Sequence, residues 1–163
     1  MTLYTVGHSN TEIGAFLDLL RRHAIELLVD TRSQPYSRYS PQFNREALKL
    51  ALAEAAIAYA FLGAQLGGRP ADSIYYFANG KVDYDALAQA PFYLAGIEQL
   101  LALAEDCRVA FLCSEADYKH CHRYWLITRT LVARGSAIEH ILPSGELAAS
   151  TAAEFVPEQP SLF

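Results

Sequence analysis

The chain has 163 residues, 52% of them hydrophobic and 19% charged, with 13 Lys and Arg against 18 Asp and Glu for a formal charge of −5 at pH 7. That is the size and apolar content of one globular domain, and it excludes a chain disordered over most of its length. Apolar stretches are broken by charged residues or glycine well before the ~20 residues of a membrane span, and no basic and apolar signal segment is seen, so a soluble cytoplasmic protein with no membrane partner is expected.

Leu3 to Val6 reads as a short strand running into Gly7-His8-Ser9. Ile13, Phe16, Leu17 and Leu20 then form one apolar helical stripe, with Ser9 and Glu12 as a capping box ahead of it. Leu27, Leu28 and Val29, inside Glu26 to Thr31, make the unbroken apolar run of a strand covered on both faces. Ser33 to Phe43 reads as a loop, and Asn44 is placed to cap a helix through Leu48 and Leu52. Ile57 to Phe61 is a third strand leading into Leu66-Gly67-Gly68-Arg69. Arg69 to Ala90 is then a long excursion with the character of a lid. Pro91 opens a helix to about Glu105, Arg108 to Cys113 is a fourth strand, and a helix from about Tyr118 to Arg134 stops at Gly135. Ala137 to Leu142 is the last strand. The pattern predicts an α/β domain over residues 1–143, a Rossmann-like three-layer sandwich with a mainly parallel sheet of about five strands and helices on both faces, followed by a mobile tail at 144–163.

In such a sheet the carboxyl ends of the strands share one edge, where ligands bind. That rule gathers His8 and Ser9, Asp30, Arg32 and Ser33, Gly67, Gly68 and Arg69, and Cys113, Ser114 and Glu115. Cys113 at a strand end before a helix suits a nucleophile, or else a buried small apolar residue. Asp30 and Glu115 suit an acid and a base; the alternatives are an ion pair of Asp30 with Arg32 or Arg123, and a helix-start role for Glu115. His8 is either a proton shuttle or a backbone-bonding turn residue. Arg123 reads as an anion holder or a carboxylate partner. Three cysteines, Cys107, Cys113 and Cys121, without a CxxC pair argue for reduced thiols. A C-x5-R phosphate loop is excluded, because Lys119 and Ile127 stand where its arginine would have to be.

The ordered set Thr5-Val6-Gly7-His8-Ser9, Val29-Asp30-Thr31-Arg32-Ser33 with Pro35 and Ser37, Leu66-Gly67-Gly68-Arg69, Leu112-Cys113-Ser114-Glu115 and Cys121-His122-Arg123 resembles the bacterial and archaeal family catalogued as domain of unknown function 488. The resemblance runs from about Thr5 to Ile141, with Thr31 in place of the aliphatic residue common there. It implies an α/β fold and a site, and brings no established reaction.

The residues therefore carry the chemistry: Cys113, Glu115, Asp30 and His8 as catalytic candidates, and Ser9, Arg32, Ser33, Tyr36, Gly67, Gly68, Cys121, His122 and Arg123 as substrate-binding candidates. Tyr36, Arg38, Tyr39 and Phe43 interleave in one loop, with Tyr75, Tyr76 and Tyr84 in the excursion. Such combinations stack bases and hold phosphates, though loop aromatics also serve simply to pin a loop. The expectation is an enzyme, a hydrolase or transferase, acting on a nucleotide, nucleobase or nucleic acid, as in DNA repair or modification. The sequence names no cofactor and no metal site. A thiol or metal sensor built on Cys113, Cys121 and His122, with His120 or His8, is one alternative. A non-catalytic module is another: Gln159, Leu162 and Phe163 are similar to the short bacterial peptide that docks on the DNA polymerase sliding clamp, which makes the clamp a candidate partner.

Overall fold

The computed structural model describes residues 1–156. The candidate clamp peptide with Gln159, Leu162 and Phe163 lies outside the described residues. The chain runs β1 (Thr2–Gly7), α1 (Ile13–Arg22), β2 (Leu27–Asp30), α2 (Arg45–Glu54), β3 (Ala58–Phe61), two short helices α3 (Gly63–Leu66) and α4 (Tyr84–Leu87), and a long α5 (Pro91–Asp106). Then come β4 (Val109–Cys113), a π-helical segment (Arg123–Thr128) continued by α6 (Arg129–Ala133), and finally β5 (Ala137–Ile141) and β6 (Leu147–Ser150). The sheet order is β3-β2-β4-β1-β5-β6, with every pairing parallel except β5 with β6. Among the described residues no helix is long and apolar enough to cross a membrane.

Alternation along the strands decides which layer each side chain joins. Leu27, Val29, Val109 and Phe111 point to one face, where Tyr93, Ile97 and Leu100 of α5 and Leu126, Ile127 and Leu131 of the last helix cover them. Leu28, Ala110, Leu112, Tyr4 and Val6 point to the other, beneath Phe16 and Leu20 of α1 and Leu48 and Leu52 of α2. Both clusters are closed to solvent, so β2 and β4 are apolar at every position that a helix covers. Neighbouring strands β1 and β4 send their following helices to opposite faces. Their carboxyl ends thus border the crevice where the winding reverses.

Four expectations are corrected. The capping box does not form: Ser9 has φ +46, and Glu12 takes the N-cap position with no side-chain bond. Asn44 sits at the N-cap of α2, but its Oδ1 accepts from Ser37 N–H at 2.7 Å and pins the preceding loop. The helix expected from Tyr118 is interrupted. Asp117 Oδ1 accepts from Lys119 N–H, Tyr118–His120 makes one 3-10 turn, and Cys121 is extended at φ −145 and ψ 173. The Thr128 hydroxyl donates at 2.6 Å to the carbonyl of Arg123, five residues back, consistent with the widened turn of the π segment. Gly135, at φ +91, ends α6 as expected, with Ser136 N–H donating to Leu131 O. Part of the segment read as a tail instead joins the sheet, as β6 folds back on β5 through a turn holding Gly145 at φ +86.

Candidate active site

The crevice is built on a close approach of backbones. A Cβ on Gly7 would stand 1.7 Å from Glu115 O, so only glycine lets the Cys113-Ser114-Glu115 segment cross the end of β1. His8 N–H and Ser9 N–H extend the strand pairing into the loop by donating to Cys113 O and Ser114 O. On the other side a Cβ on Gly67 would meet Ser33 Oγ at 2.2 Å, and the same hydroxyl accepts from Arg69 N–H at 3.0 Å. The glycine turn after β3 is thereby tied to the loop after β2.

Two connected hollows result. The larger, about 730 Å³, is lined by Arg32, Ser33, Gly68, Arg69, Ser114, Glu115, Cys121 and His122, and is walled by Gly80, Lys81, Val82 and Tyr84 of the long excursion. The smaller, about 380 Å³, is lined by His8, Ser9, Asn10, Tyr36, Ser37 and Ser40. Arg32, Gln34, Ser114 and Glu115 border both. Of the residues singled out from sequence, Asp30, Cys113, Gly67 and Arg123 line neither hollow and lie buried beneath them.

Asp30 is fully buried, and its lone pairs are taken. Oδ1 accepts from Arg32 N–H and Nε–H at 3.1 and 2.9 Å, and Oδ2 accepts from Arg32 Nη2–H at 2.8 Å and Tyr59 O–H at 2.6 Å. This is the ion pair with Arg32 that the sequence offered as the alternative to catalysis. Arg32 Nη1 donates to His8 Nε2 at 3.2 Å, which assigns the remaining ring proton to Nδ1, facing Ser9 O at 2.6 Å. Burial, with the Arg32 charge adding to it, pulls His8 down to about 4, against the Ser9 bond that raises it, and Phe43 stacks on the ring at 4.5 Å. Three of the five guanidinium N–H groups of Arg32 are thus committed, and two remain at the shared wall of the hollows.

A second buried network lies under the larger hollow. Arg123, with no exposed surface, donates from Nη1 to Thr5 Oγ1 at 3.0 Å and from Nη2 to Glu115 O at 3.0 Å, while its Nε–H has no partner. The Thr5 hydroxyl passes its proton toward His140 Nδ1 at 2.6 Å, and His140 Nε2 reaches Ser150 Oγ at 2.7 Å. Among the described residues no carboxylate forms an ion pair with Arg123.

The thiols provide what the carboxylates do not. Cys113 Sγ and Cys121 Sγ are 2.7 Å apart. Burial, and then the bond to Cys121, push the Cys113 thiol well up. Cys121 is brought down to about 7, first by that same bond from Cys113, with burial opposing and the Arg123 charge assisting. Either thiol can donate in this contact, and the Cys113 thiol also lies 3.7 Å from Glu115 O as a second acceptor. The cysteine that lines the cleft is Cys121, whereas the sequence favours Cys113, which is buried. His122 gives Nε2–H to Thr31 O at 2.9 Å and packs its ring against Gly68, and burial lowers it to about 4. Among the described residues no three His, Cys, Asp or Glu side chains form a group able to hold a metal ion.

A family model described as Domain of unknown function DUF488 matches residues 12–130. The chain belongs to this family. Comparisons with curated proteins and with solved structures gave no match. The match in this DUF488 chain takes in Asp30, Arg32, Gly68, Cys113, Cys121 and Arg123, and it stops short of His8 and His140.

Tyr59 and His140 carry no ligand signal in the sequence because each lies inside a strand, and Thr5 enters there only as part of the first motif, with no role of its own. Arg69 belongs to the strand-end set that the sequence gathers, whereas Lys81 carries no sequence signal beyond its place in the long excursion. Three neutral imidazoles have a consequence for stability. His8 and His122 at about 4 and His140 at about 3 lie below the ordinary 6.5, burial being the first cause each time. The unfolded chain then binds more protons than the folded one between pH 6.5 and 4, so stability is whole above 6.5 and declines as the pH falls through that window. Urea unfolding at pH 5 should show a loss of about 2 kcal/mol for each ring, on the order of 6 kcal/mol in all, relative to pH 7.5. A flat profile over that range would contradict neutral burial of these rings.

Proposed function

We propose that this chain is an enzyme acting on an anionic substrate of the nucleotide or nucleic-acid class, with Cys121 as the reactive group of the cleft. The observation that carries the reading is the convergence of Arg32, Arg69 and Lys81 on one hollow that Cys121 and His122 also line. In a chain of charge −5, Arg69 and Lys81 outnumber the single acid Glu115 on the cleft wall, with the charge of Arg32 balanced by Asp30, and so favour anions locally. Arg32, rigidly held by Asp30, offers its two free N–H groups to phosphate oxygens without reorganisation, as transition-state stabilisation requires.

The base or sugar is assigned to the adjoining smaller hollow. Tyr36, 77% exposed at its mouth, has a free ring face for stacking, while Ser9, Asn10 and Ser40 supply polar edges. Glu115 borders both hollows, where a proton donor or acceptor reaches a bond lying between the two parts of such a substrate. Asp30 and Arg123 act as positioning residues beneath the floor.

Calorimetric titration with nucleoside mono- and triphosphates and a short single-stranded DNA tests the reading. At least one should bind, more weakly as salt rises, and Arg69→Ala or Lys81→Ala should each weaken it roughly tenfold. Chromatography of the bound member should show product that Cys121→Ala and Glu115→Gln no longer form. Failure of the whole panel to bind, or binding indifferent to both cation variants, overturns the substrate class. Binding without product would make the chain a recognition module.

A further inference from the structure

We propose that Cys121 and Cys113 form a dithiol site that reduces a hydroperoxide, with Cys121 as the attacking thiol in the cleft and Cys113 as the resolving thiol behind it. Three independent features of the structure meet here, and none depends on which anion the cleft accepts.

The first is proximity. The sulfurs are 2.7 Å apart, so less than about 1 Å of closure brings them to bonding distance. The second is asymmetry of position. Cys113 ends the central strand β4, is 1% exposed, and is held by the pairing of β4 with β1 and β2. Cys121 lines the hollow and lies on irregular backbone between a 3-10 turn and the π segment, the side of the pair that can move. The third is charge. Arg123 is wholly buried, lacks a carboxylate partner among the described residues, and has an uncommitted Nε–H, which leaves Cys121 as the acidic group beside it. A guanidinium next to a partly open thiol favours the thiolate, the form that attacks.

The chemistry closes without a metal. The Cys121 thiolate attacks the terminal oxygen of a hydroperoxide; the S–O bond forms, the O–O bond breaks, and the departing alkoxide takes a proton from water and leaves as an alcohol. Cys121 is then a sulfenic acid, oxidised by two electrons that the peroxide has gained. The Cys113 sulfur attacks the Cys121 sulfur, the S–S bond forms as the S–O bond breaks, and the hydroxide leaves as water with the Cys113 proton. An external dithiol resets the pair. Cys107, at the end of α5 with its thiol hydrogen-bonded to Leu103 O and pushed up chiefly by burial, is not part of the pair and is replaced in the test so that only the two site thiols are read.

The test uses the full chain carrying Cys107→Ser, treated with one equivalent of hydrogen peroxide. The expected product has lost two hydrogens by intact mass, retains no alkylatable thiol, and yields a peptide linking positions 113 and 121 that dithiothreitol separates. In the Cys113→Ser variant, dimedone should trap a sulfenic acid at Cys121. In the Cys121→Ser variant, peroxide consumption should drop at least roughly tenfold. Should a variant fail to fold by circular dichroism, the peptide map of the parent decides alone. Retention of both thiols overturns the proposal, and so does conversion of Cys121 in the parent to sulfinic acid as fast as in Cys113→Ser. Nucleotide binding is not read in any arm, so failure here is distinct from failure of the substrate class.

Discussion

Replacing Arg123 with methionine is expected to raise the midpoint of the Cys121 alkylation profile by about one pH unit or more, and to slow iodoacetamide labelling at pH 7 roughly fivefold. The thiol sits at about 7 through the bond from Cys113 and, after the opposing effect of burial, through the Arg123 guanidinium. Methionine keeps much of the volume and removes the charge. The bond from Cys113 stays, so the midpoint should stop short of an isolated buried thiol. The same change strips Thr5 Oγ1 and Glu115 O of a donor, which costs about 1 to 3 kcal/mol for each acceptor left unpaired. Part of that loss is offset because a buried cation without a carboxylate is itself unfavourable. Arg123→Lys separates charge from shape: the midpoint should remain low even where the fork of hydrogen bonds is lost. A folded methionine variant titrating at the parent value would show that Arg123 does not set the reactivity of this thiol.

The layout of the sheet was legible because its central strands are apolar without interruption. Leu27 to Val29 and Val109 to Leu112 carry no polar face, and only a sheet covered on both sides accommodates such runs. β6 was missed for the opposite reason. Leu147-Ala148-Ala149-Ser150 is short and weak in strand propensity, and its pairing with β5 is set by a loop with Gly145 in a left-handed conformation and by the buried bond between Ser150 and His140, neither of which periodicity reveals. The break at Cys121 was hidden by sound helical spacing on either side. What overrides that spacing is local: the Asp117 carboxylate captures Lys119 N–H, and Trp125 Nε1 donates to Lys119 O at 2.7 Å. For the site, strand-end position selected the right neighbourhood but not the depth of each residue. Asp30 and Arg32 are two apart on an extended segment, a spacing that allows an ion pair, yet nothing in their order says that Tyr59 would occupy the last lone pair. Likewise, an eight-residue separation leaves open whether Cys113 and Cys121 touch, and the extended backbone at Cys121 is what decides it.

The largest loss of stability is expected at Asp30. Asp30→Asn should destabilise the fold by about 3 to 5 kcal/mol in urea unfolding at pH 7, because it removes the countercharge from Arg32, a residue only 7% exposed. The amide also places an NH2 donor where the carboxylate accepted either from Arg32 or from Tyr59 O–H, so one donor must face another. Tyr59→Phe removes a single neutral donor from the same carboxylate and should cost only about 1 kcal/mol. The double variant Asp30→Asn with Arg32→Met supplies the discriminating measurement. If the unpaired charge is the cause, removing it restores a substantial part of the lost stability while abolishing anion binding at the shared wall of the two hollows. If the double variant is instead less stable than Asp30→Asn alone, packing by the Arg32 stem dominates. An Asp30→Asn chain within about 1 kcal/mol of the parent would mean that the buried pair holds neither Arg32 nor the wall it forms.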